Sequence, residues 1–202
     1  MQDAIRFIPA AELRPVPWKN GGGTTRQIAI FPDDAGPDDF VWRISAADVA
    51  SDGPFSHWED IDRILILTEG GPLRLTRTDT GQETLLDTGA RLYFAGETPY
   101  TAALTAGPAK DFNLMLRRKQ AHGCLDMRSG AQHLPLRPGE TILHCVRGRF
   151  QADLPARLGG QQVLDTGDTL RITLDYVPFF KLELTPLTPD ARLVDARVNL
   201  YP

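Results

Sequence analysis

The chain has 202 residues, 42% hydrophobic and 24% charged, with a net charge of −4 and a pI near 5.5. That length can bury the core of one large β domain or of two small fused ones, and the composition excludes wholesale disorder. The acidic balance argues against a nucleic-acid partner, because the basic run Arg117-Arg118-Lys119 is short, lacks interleaved aromatics and reads as a solvated strand end.

The first seventeen residues contain no apolar run of signal-peptide length, and no later segment approaches a membrane span. A cytoplasmic protein without a membrane partner is therefore expected, with Cys124 and Cys145 as reduced thiols. Pro9–Leu13 reads as one helical turn at most, and no window sustains helical apolar spacing for three turns. Short runs rich in β-branched, aromatic and leucine residues recur instead between glycines and prolines. In the first half the predicted strands are Thr25–Ile30, Phe40–Val49, Arg63–Thr68, Leu73–Arg77, Thr84–Leu86, Arg91–Phe94, Tyr100–Leu104 and Phe112–Arg118. The second half gives Thr141–Val146, Arg149–Asp153, Gln162–Leu164, Thr169–Leu174, Phe179–Leu184 and Arg192–Leu200. Strands this short and this numerous specify an all-β sandwich or barrel.

An internal repeat divides the series. ILILTEG (Ile64–Gly70) resembles ILHCVRG (Ile142–Gly148), and LLDTGARL (Leu85–Leu92) resembles VLDTGDTL (Val163–Leu170), both at an offset of 78 residues. A third pair, FNLML (Phe112–Leu116) and FKLEL (Phe180–Leu184), has an offset of 68, which implies a shorter second copy there. Two collinear matches at one offset indicate duplication, each copy being a unit of a jelly-roll barrel. In the Asp-Thr-Gly turns, Asp87 and Asp165 are expected to accept backbone N–H bonds, and Gly89 and Gly167 to take positive φ.

The densest polar cluster is WKNGGGTTRQIAI (Trp18–Ile30). A phosphate loop would continue with Lys-Ser/Thr and a helix, whereas here Thr24-Thr25-Arg26 leads into an alternating strand, and that reading fails. A plain hairpin connection and a ligand-approaching loop flanked by Trp18 and Asn20 both remain open. Alternation puts Arg43, Ser45 and Ala47 on one face of their strand and Asp111, Asn113 and Met115 on one face of theirs. Such faces either form a solvated wall or turn into the barrel, where an arginine suits a carboxylate. Arg63 is either a second anion clamp or an exposed partner of Asp60 or Asp62. The histidines, His57, His122, His133 and His144, contain no His-x-His pair of the kind that presents metal ligands from one strand. His144 reads as structural and His57 as a loop residue able to gate the pocket. No catalytic triad is legible, with Cys124 in a polar turn and Cys145 on a core strand, and neither a metal nor a cofactor is expected.

Taken together, WKNGGGTTRQIAI, WRISAADVASDGPFS, the Asp62-Arg63 pair before ILILTEG, and GPAKDFNLMLRR resemble the HutD/Ves family. The resemblance runs from Trp18 to Phe180 and is strongest over Trp18–Arg118. It implies a bicupin, two fused cupin barrels, in agreement with the repeat. We divide it into residues 1–120, holding the pocket, and 121–202. It also implies a link to bacterial histidine utilisation, with binding of urocanate or formylglutamate and limitation of flux in place of an established reaction. The family's shared polar residues match Trp18, Asn20, Gly21–Gly23, Arg43, Ser45, Asp48, Phe55, Ser56, Arg63, Asp111 and Asn113. One departure is HWED at His57–Asp60, where the family usually has an aromatic-Pro-Gly turn.

The expected site holds a small organic carboxylate on Arg63 and Arg43. Asn20, Ser45, Asp111 and Asn113 orient it, Trp18 or Phe55 covers its apolar part, and Ser56 and His57 complete the pocket. The alternatives are a cupin-type isomerase or hydrolase acting on a small organic acid through Asp111 or His57, and an interaction module that forms a homodimer through the barrel exterior.

Overall fold

The computed structural model describes residues 3–175 and 180–202. Among them the regular structure is short antiparallel strands, with single 3-10 turns at Ala10–Glu12 and Ala156–Leu158. No helix among the described residues is long and apolar enough to cross a membrane. Leu73–Arg77, Tyr100–Leu104, Arg149–Asp153, Thr169–Leu174 and Arg192–Leu200 are strands with the predicted bounds. The predicted Phe179–Leu184 appears as Phe180–Pro186, Phe179 lying outside the described residues. Strands at Ala4–Ile8, Pro15–Pro17, Gly53–Pro54, Ala121–Arg128 and Gln132–Leu136 carry no strong alternation or are cut by proline, and the sequence did not reveal them. Cys124 accordingly lies on a strand and not in a polar turn.

The chain forms two units. One is Arg14–Leu125 with Tyr201, and the other is Asp126–Leu200 with residues up to Leu13 and Pro202. The N-terminal strand Ala4–Ile8 joins the second unit because it pairs in register with Thr169–Leu174, a long-range pairing that no local pattern announces.

In the first unit a six-stranded sheet runs Pro15–Pro17, Gly23–Phe31, Trp42–Val49, Ala109–Arg117, Ile61–Glu69, Arg91–Ala95. A four-stranded sheet runs Gly53–Pro54, Tyr100–Leu104, Leu73–Arg77, Glu83–Leu86. Leu65 and Leu67 of the first sheet pack with Leu73, Leu75, Leu86 and Tyr100 of the second to plug one end of the barrel. Strand Ile61–Glu69 is buried on both faces, with Ile64 and Ile66 on one side and Arg63, Leu65 and Leu67 on the other. This explains why ILIL reads as an unbroken apolar run.

The second unit repeats this plan. Thr169–Leu174, Gly139–Arg147 and Arg192–Leu200 are neighbours in its larger sheet, as Arg91–Ala95, Ile61–Glu69 and Ala109–Arg117 are in the first. Its smaller sheet runs Gln132–Leu136, Phe180–Pro186, Arg149–Asp153, Gln161–Asp165. The 78-residue offset holds in three dimensions: Leu65 pairs with Leu92 and Asn113, and Leu143 with Leu170 and Asp195. The third sequence match does not hold. Phe180–Pro186 takes the place of Tyr100–Leu104 in the smaller sheet, and the counterpart of Ala109–Arg117 is Arg192–Leu200. The likeness of FNLML to FKLEL reflects only that both are alternating strands.

Both Asp-Thr-Gly turns carry the expected positive φ, 86° at Gly89 and 93° at Gly167, and each glycine N–H bonds back to the central strand, at Leu67 O and Cys145 O. The aspartates accept backbone N–H bonds as expected, but through their main-chain oxygens. Their backbone carbonyls accept the N–H of Ala90 and Asp168, and the Asp165 carboxylate accepts from Arg149. His144 is buried with Nδ1 2.8 Å from Thr169 Oγ1, and burial lowers its pKa to about 4. Burial also raises the Cys145 thiol to about 12, so both behave as structural groups.

Candidate functional site

Register assembles the site. Across the larger sheet of the first unit, Arg43 pairs with Met115 and Met115 with Arg63. One row along, Gln27, Ser45, Asn113 and Leu65 stand abreast, and beyond them Thr25, Ala47 and Asp111. Directly opposed residues of antiparallel strands share a face, so these side chains all project to one side. That side is the lumen of the barrel, beyond its apolar plug, where they line a cavity of about 770 Å³. The polar face therefore turns inward: Ser45, Arg63, Asp111 and Asn113 are only 5%, 7%, 5% and 7% exposed.

The glycine-rich segment is the hairpin connection between Pro15–Pro17 and Gly23–Phe31, and it also shapes the cavity rim. Trp18 donates its backbone N–H to Gly23 O and its indole N–H to Thr25 Oγ1 at 2.7 Å. A Cβ on Gly23 would stand 2.3 Å from Asp48 O and 3.1 Å from the Trp18 ring, so only glycine permits this fold-back. Asn20 accepts the Gly22 N–H through Oδ1 at 3.0 Å. Trp18, Asn20, Phe55 and Ser56 all line the cavity.

Arg63 rests against Phe55 and Phe94, with Cζ 5.3 and 4.9 Å from their ring centres, and donates to Ser56 O at 3.3 Å. Its Nε is buried with no hydrogen-bond partner. The exposed-partner role falls to Arg118, which lies 3.0 Å from Asp62 and 3.7 Å from Asp60. Arg43 donates from Nε to Gln27 Oε1 at 3.0 Å. Asp48 is engaged by Arg26 and by Thr24 Oγ1, away from the lumen's arginines.

Burial pushes the Asp111 carboxyl up to about 7; the attraction of Arg63 opposes this and the charge of Asp48 reinforces it. Burial likewise lowers Arg63 to about 10, against the pull of Asp111 and helped by the like charge of Arg43. The lumen thus holds two guanidinium groups and one carboxyl that ionises reluctantly.

Of the ten residues expected from sequence, nine line this cavity, and His57 does not. It is exposed, between Ser56 and Trp58, which both reach the lining. Asp60 adopts a φ of 58° in this segment, a left-handed conformation that aspartate tolerates better than most residues. Gln27, Trp58 and Met115 line the cavity without having been expected. Alternation along Thr25–Ile30 puts Gln27 on the face of Thr25, where it is found; the bulge lies beyond it, between Gln27 and Ala29. Among the described residues no three His, Cys, Asp or Glu side chains are placed to hold a metal ion. The lining offers guanidinium, amide and hydroxyl groups with Asp111 as its carboxylate, a donor set that does not fit the metal of a metallo-cupin.

Two duplicated jelly-roll units, one with a charged lumen, define a bicupin. Solved cupin-type structures share the fold, among them an oxalate decarboxylase from Bacillus subtilis at 9% identity and a TM-score of 0.64, covering 95% of this chain and 76% of that one. The family model HutD matches residues 10–185, and the chain belongs to that family. Protein Ves of Cronobacter sakazakii is 41% identical over 115 residues, 56% of this chain and 61% of that protein. Protein Ves of Escherichia fergusonii is 37% identical over 110 residues, 52% of this chain and 56% of its own length. The chain thus spans less than two thirds of these two relatives. An uncharacterized 21.2 kDa protein in a hutC 3′ region of Pseudomonas putida is 28% identical over 76% of this chain and 80% of its own. A conserved protein of unknown function from Pseudomonas aeruginosa PAO1 superposes with a TM-score of 0.86 at 27% identity, covering 97% of this chain and 99% of that one.

Proposed function

We propose that this chain binds a small organic carboxylate in the polar lumen of its N-terminal cupin unit and acts in histidine utilisation as a regulator that senses such an acid. The observation that carries this reading is Arg63, a buried guanidinium whose Nε has no partner and which shares a row of the sheet face with a second arginine, Arg43, across Met115. A buried cation is costly unless a counter-ion reaches it, and a carboxylate matches the planar fork of arginine. A cavity of about 770 Å³ lies in the usual range for small-molecule sites. Membership of HutD and the hutC-region relative from P. putida favour urocanate and formylglutamate as the acids. Isothermal titration with each tests the reading: heat of binding that vanishes in Arg63→Ala is expected. No heat and no thermal shift with either acid would overturn it.

A second, catalytic reading is favoured by one observation, the Asp111 carboxyl held near 7, where it can both give and take a proton. Turnover of either acid that is lost in Asp111→Asn would establish that reading. Recovery of both acids unchanged after prolonged incubation would end it.

A further inference from the structure

We infer that Asn113 makes this pocket selective for carboxylates that also carry an N–H donor beside the acid, over carboxylates that present acceptors alone. The inference deepens the carboxylate reading and rests on it. Asn113 stands in the middle of the lumen floor, 7% exposed, flanked in register by Ser45 and Leu65. Its Oδ1 is buried and has no hydrogen-bond partner. The next residue along the same face, Asp111, is a second acceptor when ionised, and its in-register neighbours Ala47 and Leu67 are apolar. The floor therefore buries an unmet donor on Arg63 and an unmet acceptor on Asn113. A plain carboxylate satisfies only the first, and a further oxygen set against Oδ1 leaves two acceptors facing each other. A ligand with an N–H satisfies both.

The second unit supplies an independent observation. Asn113 pairs with Leu65 as Asp195 pairs with Leu143, so Asp195 occupies the same position in its own barrel. There the acceptor is met by the chain itself: Arg128 and Arg197 donate to Asp195 Oδ2 at 3.1 and 3.0 Å. This position takes donors, and in the first lumen the chain provides none for Oδ1. Sites built to bond an N–H reject analogues that lack it far more sharply than apolar pockets reject a missing methylene, because the buried group is left unpaired.

Two matched pairs of carboxylates test this by isothermal titration: N-acetylglycine against its ester isostere acetoxyacetate, and pyrrole-acrylate against furan-acrylate. Each pair differs only in an N–H replaced by oxygen. In the wild-type protein the N–H member of a pair that binds is expected to be tighter by about 10- to 100-fold. In Asn113→Leu, similar in shape without the acceptor, that preference is expected to fall below about threefold. Asn113→Asp keeps the acceptor and is expected to keep the preference, with weaker binding of both members. Equal affinities in the wild type, or a preference that survives in folded Asn113→Leu, would overturn the inference while leaving carboxylate binding intact. If Asn113→Leu fails to fold, the wild-type ratio and Asn113→Asp still decide it. Failure of all four probes to bind a protein that melts cooperatively would sink the carboxylate reading and this inference together.

Discussion

In the C-terminal unit Thr141 stands where Arg63 stands in the first, Leu193 where Asp111 stands, and Arg197 where Met115 stands. Leu143, Cys145, Leu170, Ile172 and Leu193 belong to the apolar core of that unit. Its buried carboxylate is paired, for Asp195 is 1% exposed and held by Arg128 and Arg197, although Arg128 Nε itself has no partner. One topology, used twice, therefore gives one barrel whose buried carboxylate is hydrogen-bonded to two arginines and one whose Asp111 attracts Arg63 without a hydrogen bond between them. The fold alone does not make a site; the difference lies in whether the buried counter-ion is hydrogen-bonded to the arginines around it.

Removing that counter-ion is the severest way to break the comparison. Asp195→Ala strands two arginines around a buried gap and is expected to destabilise the protein by about 3 kcal/mol, seen as a lower denaturant midpoint, with ligand affinity unchanged. Arg63→Ala should do the reverse. Binding of the carboxylate is expected to weaken by about 2–3 kcal/mol in titration calorimetry, while the denaturant midpoint stays level or rises, because a buried cation with an unpartnered Nε has been removed.

Proton linkage sharpens the contrast with a smaller effect. Asp111 has its carboxyl raised in the folded state, so its contribution to stability is full below about 4 and is lost as pH rises through about 7. His144 in the other unit is lowered to about 4, so its contribution is present above its ordinary value near 6.5 and is lost as pH falls through about 4. Between these limits the two slopes oppose each other. Asp111→Asn is expected to leave the His144 slope alone, giving stability that climbs with pH across that window in denaturant titrations. Ionisation of Asp111 also puts a negative charge beside the ligand. Affinity for an anion is thus expected to fall above pH 7, by at most about tenfold per pH unit, and to become flat there in Asp111→Asn.

Much of this was legible in the chain because a strand's side chains alternate strictly. Arg43 with Ser45 and Asp111 with Asn113 could be put on common faces from spacing alone, and the repeat at 78 residues located equivalent central strands. What alternation does not reveal is pairing. It gave no sign that Ala4–Ile8 would join Thr169–Leu174, and it let Phe180–Leu184 pass as the counterpart of Phe112–Leu116 although the two lie in different sheets. Gln27 shares the face of Thr25 by plain alternation, but nothing in the spacing shows that this strand lies beside Trp42–Val49 and so turns that face into the lumen. His57 sits in a loop, where no alternation fixes the direction of a side chain, and it lies outside the lining between Ser56 and Trp58.

Strand Ile61–Glu69, covered on both sides, has a consequence for how such a pocket can diversify. A one-residue insertion or deletion in a strand exchanges its two faces. Here it would send Arg63 into the apolar layer and Ile64 into the lumen, losing recognition and folding in a single event. Point substitutions at the odd-numbered positions 43, 45, 63, 111 and 113 leave the even-numbered layer untouched. Descendants of this scaffold are thus free to change which acid they hold one side chain at a time, while the length of their central strands stays frozen.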